Sequence, residues 1–218
     1  MGKEKYFSRD SIHQKARVML QSIKRHALAF VPDRSALLIL DMQKYFLSAS
    51  SHAFIPSAQA IIPLIAKLTD AYAKKHLPVI FTRHLNSPQN AGMMAKWWRD
   101  LIGKENPASE IIDELDISSG MVLEKSQYDA FFETPLTGIL RERGVTQVVV
   151  CGVMTHLCCE TTARSAFVRG FEVFFTVDGT ATYNERFHLA TLLNLSHGFA
   201  APALVEELLA AFRGRDAN

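Results

Sequence analysis

The stretch Cys151 to Arg164, CGVMTHLCCETTAR, follows the apolar run Val148-Val149-Val150 and leads into a helical pattern. It reads as a strand, a tight turn and a helix start, with two adjacent cysteines in the turn. A thiol at a helix N-terminus lies near unpaired backbone N–H groups and the positive end of the helix dipole. Both favour the thiolate, the form of cysteine that attacks carbonyls. Free cysteine is otherwise a small buried hydrophobe. Cys151 continues the strand and takes that plainer role. Chemistry at Cys158 or Cys159 needs partners from elsewhere in the sequence.

Working outward, the chain alternates strand and helix. Ala36 to Leu40 is continuously apolar and turns polar at Asp41. A short run of this kind reads as a strand buried on both faces, as in a parallel sheet. Ser57 to Lys75 is helical, with Ile61, Ile65, Leu68 and Tyr72 on one face and Pro63 in an early turn. Pro78 to Thr82 is a strand ending at Arg83 and His84, and Met121 to Leu123 is another, ending at Glu124-Lys125. A helix then runs through Leu140 to a Gly144 cap. Gln147 to Val150 is the next strand, with a helix over 155–169. Phe171 to Val177 is a further strand ending at Asp178-Gly179. Helices over 184–197 and 203–212 close the pattern, and the tail GRDAN reads as frayed. Ahead of all this, residues 9–29 read as an amphipathic helix, with Ile12, Ala16, Met19, Leu20, Ile23 and Ala27 at helical spacing. Asp10 or Ser11 is a candidate cap. Alternation on this scale predicts a parallel sheet with helices on both faces. The expected organisation is an N-terminal helical arm over 1–32 and one α/β domain over 33–213.

At 218 residues and 48% hydrophobic content the chain is long enough for a sizeable single core. A net charge of +2, from 24 basic and 22 acidic residues, is too balanced to indicate nucleic acid or a membrane surface. Three cysteines give no disulfide framework and suit a reducing cytoplasm. No apolar run approaches the roughly 20 residues of a membrane span. The opening MGKEKYFSRD lacks the apolar core of a signal peptide. Residues 86–107 have weak periodicity and carry Trp97 and Trp98. A long loop of this kind is either a lid or an irregular packing segment.

Asp41, Lys125 and Cys158 each stand at or just past a strand end. Alone, each is an ordinary turn or surface residue. Together they supply a thiol, a carboxylate to take its proton and an ammonium to hold charge. A parallel sheet gathers its strand ends on one edge, where open α/β sheets build their sites.

At these residues the chain resembles the isochorismatase-like hydrolases, or cysteine hydrolases, from about Ser35 to Leu209. LLILDMQKYF is similar to the family's first strand with its aspartate, at Asp41. EKSQYDAFFETPL resembles the lysine motif, at Lys125, and GVMTHLCCETTARSAF the nucleophile motif. In that motif cysteine stands three residues after threonine, which selects Cys158 over Cys159. NERFHLATLLNLSHGFA resembles the family's last shared helix. The resemblance implies a three-layer αβα sandwich around a parallel, Rossmann-like sheet of about six strands. It also implies a cis peptide between Val153 and Met154, and an oxyanion hole from the Met154 and Cys158 amides. The implied activity is hydrolysis of a small-molecule C–N bond (amide, ureide or carbamoyl) through a thioester on Cys158, with Lys125 lowering the thiol pKa. Phe46, Arg83, His84, Tyr128 and Thr155 are the candidate substrate-binding residues, and Thr155 also a helix cap. Family members are commonly dimers or larger. The N-terminal helix and Trp97-Trp98 are the candidate subunit contacts.

Two departures shape the expectation. Nicotinamidases of the family hold a metal through an Asp-x-His motif after the second strand. Here Thr82-Arg83-His84-Leu85-Asn86 lacks the carboxylate, so no metal or other cofactor is expected and nicotinamidase activity is less favoured. True isochorismatases often carry glycine where Cys158 stands and bind a dicarboxylate. Vinyl-ether hydrolysis releasing pyruvate is therefore the alternative enzyme reading. A non-catalytic interaction or thiol-sensing role is the alternative of another class.

Overall fold

Continuously apolar runs become strands here because a parallel sheet covered on both faces has no solvent side to demand alternation. The computed structural model describes residues 2–213, so the GRDAN tail lies outside the described residues. Its elements are α1 (Ile12–Gln21), β1 (Ser35–Leu40), α2 (Lys44–Leu47), α3 (Ala58–Lys74), β2 (Val79–His84), α4 (Met94–Trp97) and β3 (Met121–Lys125). There follow α5 (Leu136–Glu142), β4 (Gln147–Val153), α6 (Glu160–Val168), β5 (Glu172–Ala181), α7 (Glu185–Gly198), β6 (Ala201–Ala203) and α8 (Val205–Arg213). The sheet order is β3-β2-β1-β4-β5-β6 and every pairing is parallel. The expected three-layer α/β/α sandwich is the observed fold.

Chain order reverses at β1. The strands run outward one way as β1-β2-β3 and the other way as β4-β5-β6. Right-handed crossovers therefore place α3 on one face and α5, α6 and α7 on the other. α8 packs on α3 and β5, and α1 on β5, completing the first layer. Between β1 and β4 the reversal leaves a crevice at the C-terminal edge of the sheet. Among the described residues no helix is long and apolar enough to cross a membrane.

Several boundaries differ from the sequence reading. α1 ends at Gln21 instead of running to residue 29. The buried Gln147 side chain holds the chain extended beyond it, accepting from Val31 N at 2.7 Å and donating to Ala29 O at 2.9 Å. Ser11 precedes α1 but makes no side-chain cap to it. Pro63 stands in the second turn of α3, which continues unbroken to Lys74. β6 is absent from the sequence reading, because Ala201-Pro202-Ala203 is short and carries proline. As the edge strand it tolerates the missing N–H. β5 runs on to Ala181 through a bulge, its pairing with β4 jumping from Val150↔Phe175 to Gly152↔Thr180. Thr176 Oγ1 donates to Val150 O and Thr180 Oγ1 to Thr176 O, which pins the bulge from inside.

Residues 2–31 do not stand apart as an arm. Tyr6, Phe7, Ile12, Ala16, Met19 and Leu20 are buried in the same hydrophobic core as β1 and β4. The apolar face of α1 is thus covered by its own chain.

Candidate active site

β1 ends by delivering Asp41 to the crevice, with the backbone turning to φ 50° at that residue. Aspartate tolerates this left-handed conformation better than most residues. Thr82 on the neighbouring β2 holds it from two sides. Its hydroxyl accepts from Asp41 N at 3.0 Å and donates to Oδ1 at 2.6 Å. The outer oxygen, Oδ2, lies 2.8 Å from Lys125 Nζ, with both side chains fully buried. It accepts no directed hydrogen bond from the described residues.

Lys125 closes β3 and pairs in register with His84 at the end of β2. Its ammonium donates to Gln127 O at 2.9 Å and reaches His84 Nδ1 at 3.3 Å and Cys158 Sγ at 3.5 Å. β4 supplies the sulfur. After the cis peptide Val153–Met154 the chain makes one turn of π-helix, Thr155–Cys159, before α6 begins. π-turns recur at functional sites. Leu157 N and Cys159 N both donate to Met154 O. Cys158 then faces the crevice, whereas Cys159 and Cys151 are buried in the core. Three strand ends and one turn thus bring Asp41, Lys125 and Cys158 together.

The electrostatics correct one expectation. Burial is the largest single effect and works against ionising Asp41, but the Lys125 charge and the smaller effects of His84 and the Cys158 contact together hold the carboxyl below its usual value. Burial is likewise the largest effect on the Lys125 ammonium and works against it, but Asp41 and Cys158 together hold it above the ordinary lysine value. For Cys158 the balance goes the other way. Burial and then the Asp41 charge push the thiol up, and Lys125 offsets them only in part. The resting site therefore holds a carboxylate, an ammonium and a neutral thiol, where a depressed thiol pKa had been expected. Burial of a charge costs more than one neighbouring cation returns when that cation is already paired.

His84 is neutral. Burial first, and the Lys125 charge next, bring its pKa down to about 4. Its Nε2 lies 2.7 Å from Asn86 Oδ1, and Asn86 Nδ2 donates to Ser126 O at 2.8 Å. Both ring nitrogens are therefore engaged. No group of three His, Cys, Asp or Glu side chains converges among the described residues, so the donor set does not fit a metal ion.

A cavity of about 800 Å³, open mouth included, rises above Cys158. Three of the candidate binding residues, Phe46, His84 and Tyr128, line it. Arg83 and Thr155 do not, and both expectations are corrected. Adjacent strand residues point to opposite faces. With His84 turned inward, Arg83 points away to Ser109 O at 3.1 Å, Ser109 Oγ at 2.6 Å and Glu110 Oε1 at 2.5 Å. Thr155 is wholly buried behind the turn, its hydroxyl 3.2 Å from His188 Nδ1, and makes no helix cap.

Sequence reading missed Tyr45, His52, Asn86 and Tyr183 in the cavity wall. The 86–107 segment forms another wall, through Met94 and residues 98–102. Trp98 Nε1 donates to Tyr128 OH at 2.7 Å, tying that segment to the rim. Trp98 thereby belongs to the cavity, while Trp97 is 73% exposed. The chain start reaches the mouth as well. Lys3 Nζ donates to His52 O and stands 4.6 Å from the Tyr183 ring centroid, and Glu4 N donates to Tyr183 O.

Fold and site together define an α/β protein of the doubly wound class with a thiol, a carboxylate and an ammonium at its switch point. The Isochorismatase domain model matches residues 35–207, and the chain belongs to that family. It is 44% identical over 171 residues to Nicotinamidase 3 of Arabidopsis thaliana, covering 76% of this chain and 82% of that protein. It is 34% identical over 187 residues to Enterobactin synthase component B of Escherichia coli K12, covering 84% of this chain and 65% of that protein. Among solved structures it superposes with TM-score 0.83 on a cysteine hydrolase from Pseudomonas syringae pv. phaseolicola 1448A. The two are 25% identical, and the match covers 88% of this chain and 99% of that one.

Proposed function

We propose that the chain is a metal-independent hydrolase that cleaves the C–N bond of a small amide through a thioester on Cys158. The observation that carries this is the buried contact set in which Lys125 Nζ touches both Asp41 Oδ2 and Cys158 Sγ, with Cys158 lining the cavity. Asp41 takes the thiol proton as sulfur forms its bond to the amide carbon. The carbonyl π electrons move to oxygen, which the backbone N–H groups of Met154 and Cys158 receive. Losing one such donor costs about 2.7–4 kcal/mol of barrier stabilisation. Asp41 returns its proton to the leaving nitrogen as the C–N bond breaks. The same carboxylate then accepts a proton from water, which attacks the thioester and regenerates the thiol.

Apolar and aromatic walls favour a flat, neutral substrate. Phe46, Trp98, Tyr128 and Tyr183 surround the space above the sulfur. The buried cation Lys125 contacts the cavity-lining Cys158 and is already paired with Asp41. A carboxamide on a small ring therefore fits better than a dicarboxylate, in keeping with the relative named a nicotinamidase. Vinyl-ether hydrolysis is the second reading, favoured by the likeness to Enterobactin synthase component B and by Arg99 at the mouth.

Ammonia release from a panel of amides, ureides and carbamoyl compounds, with isochorismate beside them, tests the assignment. Cys158→Ala is expected to abolish turnover, and an electrophilic substrate analogue to add its mass to Cys158. Full turnover in Cys158→Ala would overturn the thioester. Release of pyruvate from isochorismate with no amide cleaved would move the function to the second reading.

A further inference from the structure

An ammonium has three N–H bonds, yet Lys125 Nζ has four acceptors around it. Asp41 Oδ2 lies at 2.8 Å, Gln127 O at 2.9 Å, His84 Nδ1 at 3.3 Å and Cys158 Sγ at 3.5 Å. His84 and Cys158 are the long contacts. What distinguishes His84 is the fixing of its far side. Asn86 Nδ2 donates to Ser126 O, which turns Oδ1 toward His84 Nε2. An amide oxygen only accepts, so Nε2 carries the ring proton and Nδ1 is left as an acceptor facing the lysine.

We propose that His84 is a positioning residue for Lys125. Together with Gln127 O it retains two of the three lysine N–H bonds throughout turnover, and the third alternates between Asp41 and Cys158. Before attack, the third N–H lies between the Asp41 carboxylate, an ion contact at 2.8 Å, and the thiol sulfur at 3.5 Å. When the thiol proton passes from Sγ to Asp41, the negative charge moves from carboxylate to sulfur, and the third N–H follows it. One proton leaves sulfur and one arrives on Asp41, while Lys125 and His84 neither gain nor lose any. Fixing two bonds confines the ammonium to the short arc between the two sites where charge appears. Such preorganisation reduces the reorganisation required during the reaction. His84 lines the cavity, but its polar atoms serve the lysine and leave substrate recognition to the aromatic walls. The role rests on the reading of Asp41, Lys125 and Cys158 given above.

Nitrogen-15 NMR of the full chain with labelled histidine tests the tautomer without any substrate, using His84→Gln to assign the signal. The expected spectrum has Nε2 protonated and Nδ1 bare. An Nδ1-protonated ring at neutral pH overturns the proposal. Kinetics on an amide that the wild type cleaves test the role. His84→Gln keeps an acceptor and should stay within about three-fold of wild type in kcat. His84→Leu should lose roughly 10- to 100-fold in kcat with little change in KM. A rise in KM with kcat intact would make His84 a substrate contact, and equal losses in the two variants would make it a packing residue. Either result sinks the proposal. If His84→Leu does not fold, Asn86→Leu serves instead, since it leaves the ring in place and releases its tautomer. A mixed tautomer with lowered kcat supports the role, whereas an unchanged kcat overturns it. A wild type that cleaves no amide would defeat the C–N reading while the tautomer result stands on its own.

Discussion

At Cys158 two charges act on one thiol in opposite senses, beneath a burial effect that outweighs the cation. Removing Asp41 should therefore uncouple reactivity from turnover. In Asp41→Asn the anion that raises the thiol pKa is gone and the Lys125 cation remains. Iodoacetamide should then label Cys158 faster than in wild type at pH 7. Turnover should fall by roughly 10²–10⁴-fold for want of a proton acceptor and donor. Slower labelling in Asp41→Asn would contradict this account. The three residues proposed to act in the reaction stood out in the sequence because each ends or follows an apolar run on a strand. Arg83 was misplaced because a strand sends neighbours to opposite faces, and no pattern indicated whether 83 or 84 turned inward. Thr82, which grips Asp41 from the next strand, was illegible. Its role exists only through strand pairing between residues 41 positions apart.

The turn that carries Cys158 follows Gly152, where β4 meets the end of β1. Gly152 has φ +110°, and a Cβ there would fall on Leu40 O, with Leu40 N 2.7 Å away. Both backbone conformation and space exclude a side chain. Gly152→Ala should destabilise the protein by more than about 3 kcal/mol, measured as a lower urea midpoint. A midpoint unchanged from wild type would mean that the two strands separate easily. Element type followed from periodicity throughout, but element length did not. α1 stops short because Gln147, far away in sequence, captures the chain that follows it. β6 escapes notice because three small residues with a proline become a strand only against β5. The bulge in β5 was equally hidden, since its two threonines bond to carbonyls that only folding brings near.

Over the whole molecule, two buried groups away from the cavity set opposing responses to pH. Asp178, on the β5 bulge, accepts from Val205 N at the start of α8, and its other oxygen has no hydrogen bond and lies 4.0 Å from His13 Nδ1. Burial raises its pKa to about 6. Its contribution is therefore present below the ordinary carboxylate value and lost as pH rises toward 6. His188, under the N-terminal segment, is brought down to about 3 by burial. Its contribution is present above the ordinary histidine value and lost as pH falls through the acid range. Between about pH 4 and 6 the two slopes oppose one another. Asp178→Asn keeps the acceptor for Val205 and removes one slope. Its stability should exceed that of wild type by about 3 kcal/mol at pH 7.5 and fall more steeply on acidification. Urea denaturation at pH 4.5 and 7.5 measures both, and parallel curves for the two proteins would refute the assignment.

The contact of Lys3 with His52 and Tyr183 also bears on the order of synthesis. A ribosome makes residue 3 well before residue 183, so this part of the cavity mouth is completed only after residue 183 has been made. The same holds for the thiol, which meets its base only after more than a hundred further residues have followed Asp41. A half-made chain thus carries neither an assembled nucleophile nor a closed pocket, and its chemistry is held back until most of the sheet exists.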